Sequence, residues 1–135
     1  TSSSFSNPLY RKGVFCEFFL DPFPEGYYFY TGSRYVIKKI YKDNDEFLSR
    51  VSKEKNFRTD ENFIYLSPDD LGMEYKISRK TLDYIDVKEG KKVGTCKVGS
   101  DTEVGSMVTD KIKEFEKQYE EKLKSKGNKI WNTFQ

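Results

Sequence analysis

Reactive chemistry near neutral pH needs a base, a nucleophile or a metal ligand, and the chain is poor in all three. It contains no His, which removes the commonest general base, the commonest metal ligand and every Ser-His-Asp or Cys-His arrangement. The two Cys, at positions 16 and 96, would need carboxylates to complete a zinc tetrahedron, so no metal and no other cofactor is expected. Ser52-Lys53-Glu54-Lys55 has the S-x-x-K spacing in which a Lys activates a Ser. The accompanying S-D-N and K-T-G motifs are missing, and in a Lys-rich chain the spacing reads as a solvated helix end. Asp43, Asp45, Asp69 and Asp70 are the candidates for a glycosidase-type carboxylate pair. They sit beside Asn44 or Pro68, where turns and caps call for Asp in any case. Asp43-Asn44-Asp45 also lacks the Gly and Glu of a calcium loop, and no glycine loop is built to cradle phosphate. Catalysis is not expected.

Two clusters suit binding better. Arg34 to Lys42 (RYVIKKIYK) interleaves basic with aromatic and aliphatic residues, a mixture that can hold single-stranded nucleic acid. The same pattern describes a strand with one face in the core and Lys on the other, and that reading is preferred. Tyr27, Tyr28 and Tyr30 follow the Pro-rich stretch Asp21 to Gly26, which also carries Phe23. Tyr offers contact area at little entropic cost and is enriched at interfaces, so Phe23, Tyr27, Tyr28 and Tyr30 form the candidate binding surface. The competing reading is an aromatic core in a protein short of Leu.

These residues must be positioned by short β elements. Leu9 to Leu20 is β-prone, with Val14, Cys16, Phe18 and Leu20 on one face and Phe15 and Phe19 on the other, a strand covered on both sides. Asp21-Pro22-Phe23-Pro24 breaks it. Tyr27 to Tyr30 and Arg34 to Tyr41 form a hairpin about Thr31-Gly32-Ser33. Asp43-Asn44-Asp45 is expected to cap a short helix through about Lys53, with Phe47, Leu48 and Val51 on its apolar side. Further strands are expected at Asn62 to Ser67, ended by Pro68-Asp69-Asp70, at Met73 to Ser78, Leu82 to Val87 and Val93 to Val98.

The clearest element comes last. Ser100-Asp101-Thr102-Glu103 has the spacing of a capping box. Val104, Val108, Ile112, Phe115, Tyr119 and Leu123 then recur on one helical stripe. Gly127-Asn128 is expected to end the helix, leaving a tail with Ile130, Trp131 and Phe134.

Composition sets the outer limits. At 135 residues the chain suits one domain, organised as a flexible leader over 1–8, a β-rich domain over 9–127 ending in a helix over 101–126, and a tail over 128–135. Aromatics make up 16% of the residues and the net charge is only +2, which argues for a folded core over disorder. That charge balance gives no general field for nucleic acid, and no apolar run reaches the ~18 residues of a membrane span. The chain as given opens on Thr1 without an initiator Met, as expected of a processed product or a trimmed chain, and a removed signal peptide accounts for the former. An exported protein can bond Cys16 to Cys96; the alternative is two buried free thiols.

The expected fold is α+β: a mainly antiparallel sheet or small partly closed barrel, with one short helix and a long C-terminal amphipathic helix. The expected function is that of a small, non-catalytic, secreted or periplasmic binding protein engaging a protein partner, as inhibitors and immunity proteins do. Two alternatives are a carrier holding an apolar small molecule in the mouth of a barrel and a structural or assembly subunit using the charged helix and tail as contacts.

Overall fold

The computed structural model describes residues 11–67 and 71–133, with backbone alone for 126–133. The leader over 1–8, Pro68-Asp69-Asp70 and the side chains of Ile130, Trp131 and Phe134 lie outside the described residues.

β1 (Lys12–Phe18), β2 (Glu25–Tyr30), β3 (Arg34–Asp43) and β4 (Glu46–Val51) are followed by the short β5 (Lys55–Asn56) and β6 (Arg58–Thr59). Then come β7 (Phe63–Leu66), β8 (Tyr75–Ser78), β9 (Asp83–Asp86), β10 (Lys91–Ser100) and the helix α1 (Asp101–Thr133). The strands form one antiparallel sheet in the order β4-β3-β2-β1-β10-β9-β8-β7-β6. β5 pairs with β3 and β6 with β7, while Phe57 between them donates its N–H to the Ser33 carbonyl at 2.9 Å. One short segment therefore reaches toward both ends of the sheet, which curls without closing. The fold is the expected α+β arrangement.

The inner face of the curl buries Val14, Tyr27, Phe29, Tyr35, Ile37 and Ile77, among others. On the outer face Val104 and Val108 of α1 pack against Phe15 and Ile40. β1 is thus covered on both sides, as its two apolar faces require. Gly26 lets the helix seat closely: a Cβ there would lie 3.0 Å from a Val108 methyl and 3.1 Å from a Val104 methyl. Cys16 and Cys96 stand opposite each other in the β1–β10 register and are disulfide-bonded.

The expected short helix after Asp43 does not form. Asn44 takes a left-handed conformation (φ 55°) in a two-residue turn with Asp45, and Glu46–Val51 pairs along Lys38–Asp43 instead. Asn tolerates that conformation better than most residues, and cross-strand pairing with a long neighbour outweighs a weak helical preference. Phe47 then faces α1, stacking on Phe115 with ring centres 5.6 Å apart.

α1 opens on the expected capping box, with the Ser100 N–H donating to Glu103 Oε1 at 3.0 Å and the Glu103 N–H to Ser100 Oγ at 3.2 Å. Gly127-Asn128 does not end it, since the backbone stays helical to Thr133. One interior Gly costs only about 1 kcal/mol, which a helix already nucleated can absorb. Val104 and Val108 are buried, Phe115 and Tyr119 half-buried, and Leu123 is 49% exposed. The apolar stripe thus starts under the helix and runs off the sheet.

Candidate functional site

β1 ends at Phe18, where Asp21-Pro22-Phe23-Pro24 turns the chain toward β2. Two prolines fix φ on this stretch, and the Asp21 carboxylate accepts the Phe23 N–H at 2.9 Å. The pairing of β10 with β9 slips between Lys92 and Gly94, and the Val93 carbonyl accepts the Phe19 N–H at 3.0 Å. The loop is held at both ends. Between the holds, Phe19 is 61% and Leu20 96% exposed.

Behind this loop lies a cavity of about 490 Å³. Phe18 at the end of β1, Glu25 at the start of β2, Tyr75 at the start of β8, Asp86 at the end of β9 and Lys91 at the start of β10 all border it. In an antiparallel sheet these strand ends gather at one rim, so the cavity is the mouth of the curl. A smaller hollow of about 340 Å³ flanks the other side of the loop, between Glu17 and Pro24.

The mouth has an aromatic wall and a hydrogen-bonded floor. Phe18 meets Tyr84 edge to face at 4.9 Å, and Tyr75 lies 5.4 Å from Tyr84. Tyr27 donates its hydroxyl proton to Glu25 Oε1 at 2.8 Å, and the Tyr27 and Tyr84 hydroxyls are 2.7 Å apart. A phenol carries one proton, so Tyr84 is the donor to Tyr27. Burial holds both phenols well above their usual pKa, and they stay neutral. Glu25 is also raised, because burial outweighs both the Tyr27 hydrogen bond and Lys39, while nearby Asp21 adds to the rise. The Lys39 ammonium stands 3.8 Å from the second Glu25 oxygen, an ion pair beyond hydrogen-bond range.

Asp86 is a buried carboxylate of the mouth, only 8% exposed, where Glu25 is half-buried. One oxygen accepts the Glu89 N–H at 3.3 Å. The other has no partner among the described residues. No fully sealed side-chain oxygen or nitrogen there lacks a partner, and Asp86 is one of the residues lining the cavity.

The binding residues expected from sequence are not brought together. Tyr27 is fully buried, its hydroxyl hydrogen-bonded to Glu25 and Tyr84, which line the mouth. Tyr28 is half-buried beneath α1. Phe23 is wedged between Phe47 and Phe115 at 6.4 and 5.4 Å. Only Tyr30 is well exposed, at the end of β2 opposite the mouth. Sequence reasoning passed over Phe19, Leu20, Glu25, Tyr84 and Asp86. The one legible signal was an apolar pair directly before Asp-Pro, which a strand cannot continue to cover.

The remaining candidates have structural roles. Ser52 Oγ accepts the Ile37 N–H at 2.9 Å and donates to the Lys53 carbonyl. Asp45 accepts the Tyr119 hydroxyl at 2.7 Å. Asp69 and Asp70 lie outside the described residues. In the basic strand, Arg34 pairs with Glu54 and Lys39 with Glu25, while Lys42 lies over the Tyr119 ring. Among the described residues no group of acidic or thiol side chains could hold a metal, and no helix is long and apolar enough to cross a membrane. Compared with protein-family models, curated proteins and solved structures, the chain matches none.

Proposed function

We propose that this chain is a small non-catalytic binding protein of an oxidising compartment, and that it grips a protein partner at the open end of its sheet. One observation carries the reading: adjacent apolar side chains, Phe19 and Leu20, stand in solvent on a loop held at both ends. Covering a Leu or Phe gains about 1.5–3 kcal/mol, and a loop already ordered loses little freedom on binding. The disulfide supports an oxidising compartment. Neutral phenols and a hydrogen-bonded Glu25 offer a binding floor.

The test is a photoreactive benzoylphenylalanine placed at Leu20, and separately at Lys113 on the exposed side of α1, irradiated with the extracellular or envelope fraction of the source cell. A discrete protein adduct from position 20 alone is expected. Equal adducts from both positions, or none from position 20, would remove the surface.

The carrier reading keeps one observation in its favour, a cavity of about 490 Å³, which falls within the usual range for small-molecule sites. Native mass spectrometry separates the two: a co-purified small molecule in the mouth supports the carrier.

A further inference from the structure

The sheet has two ends, and they are not alike. At one end β6 offers two residues, while at the other β4 offers six, Glu46–Val51, and no described strand pairs with its far side. The Ser52 N–H reaches the Ile37 carbonyl at 2.8 Å. Antiparallel pairing alternates, so Glu46, Leu48 and Arg50, in step with Ser52, turn their backbone groups to β3. Phe47, Ser49 and Val51 turn theirs outward. An open edge of this kind accepts a further strand.

The charges on the edge say which strand. Glu46 stands opposite Asp43 in the hairpin and Arg50 opposite Lys39, so the hairpin is acidic at its tip and basic at its base. Like charges placed opposite each other are unfavourable. Lys39 has Glu25 at 3.8 Å, but Glu46 and Arg50 are exposed and form no ion pair among the described residues. The Arg50 guanidinium lies 5.3 Å from the Tyr41 ring centre. A second β4 laid antiparallel about a two-fold axis at Leu48 sets Glu46 of each copy opposite Arg50 of the other. The same register joins Phe47 to Ser49 through the backbone groups that face outward.

It also sets Val51 opposite the other copy's Asp45. Val51 is 59% exposed and shares the α1 side of β4 with Phe47. Asp45 accepts the Tyr119 hydroxyl at 2.7 Å, and Leu123, 49% exposed, follows Tyr119 one turn on. Two apolar side chains that the single chain leaves in water are brought to one place.

We infer that the β4 edge joins a second copy of this chain, strand to strand and antiparallel about Leu48, in a two-fold dimer. The contact uses neither Phe19 nor Leu20 and does not depend on what they grip.

The test is sedimentation equilibrium of the whole chain from about 5 µM to about 1 mM, beside Glu46→Arg, Arg50→Glu and an equimolar mixture of these two variants. The unaltered chain is expected to dimerise with a Kd on the order of 10–100 µM, as suits an edge contact of small area. Each variant alone opposes like charges and should associate at least about tenfold more weakly. In the mixture each altered or original charge again meets its opposite, and mixed dimers should form within about threefold of the original Kd. Both positions are exposed, and a melting curve of each variant reports that it is folded. A chain that is monomeric at about 1 mM, well above that Kd, overturns the inference and leaves the edge to a strand of a different protein. Dimers that persist in both single variants, or variants that stay apart when mixed, place the contact elsewhere and overturn it equally.

Discussion

Three side chains decide the character of the mouth, and their hydrogen bonds run in one direction. Tyr84 donates to Tyr27 and Tyr27 to Glu25. Tyr27→Phe deletes the middle link, stranding the Tyr84 hydroxyl in a buried site and taking a donor from Glu25. A loss of about 1–3 kcal/mol in urea unfolding is expected. The double variant Tyr27→Phe with Tyr84→Phe should cost less than the sum of the singles, because it leaves no stranded hydroxyl; strict additivity would mean that the two hydroxyls do not interact. Glu25 titrates in the opposite sense from a stabilising carboxylate. Its folded pKa lies above the ordinary 4.5 through burial, so its favourable contribution is complete below that pH and is lost as pH rises through the folded pKa. Glu25→Gln keeps an acceptor for Tyr27 and gives up only a loose pair with Lys39. It should raise the Tm at pH 7 and give no such gain at pH 4. A Tm lowered at pH 7 would show that the Lys39 pair outweighs the cost of burying the charge.

At the scale of elements, the seam between helix and sheet is where the sequence pattern is most and least informative. The capping box at Ser100 and Glu103 was legible because it depends on spacing within four residues, and both of its hydrogen bonds are present. Ser100→Ala is expected to cost about 1 kcal/mol, measured by thermal or urea unfolding, and an unchanged stability would mean that water caps the helix equally well. The β3–β4 hairpin was not legible. Asp-Asn-Asp followed by Phe47-Leu48 satisfies a capped helix and a tight hairpin alike, and only the partner strand and the aromatic seam with Phe115 and Tyr119 choose the hairpin. The end of α1 was misplaced for a related reason. Gly127 is permitted in a helix at modest cost, and a local stop signal does not compel the chain to stop.

Across the whole molecule, the disulfide ties strands from opposite ends of the domain. Cys16 and Cys96 are 80 residues apart in sequence and adjacent in the sheet. On the chain-entropy account such a loop is worth at most roughly 4–5 kcal/mol. Reduction and alkylation in denaturant, followed by refolding, should lower the Tm by about 5 °C or more. A melting curve unchanged by this treatment would leave the bridge without a stabilising role.

Taken alone, the sequence determined those properties that depend on residue type and short spacing. They are the α+β class, both faces of β1, the first hairpin, and the start and apolar stripe of the helix; whether the two cysteines are bonded stayed open until the β1–β10 register set them opposite each other. The tertiary structure decided the site. Tyr27, Tyr28 and Phe23 read as a surface because they follow a loop, yet strand alternation turns Tyr27 into the curl and Tyr28 under the helix. Glu25 on β2 lies far along the chain from Tyr84 and Asp86 on β9, and the two strands share a mouth only because antiparallel pairing brings one end of each strand to the same rim. Long-range register sets that neighbourhood, and no local pattern encodes it.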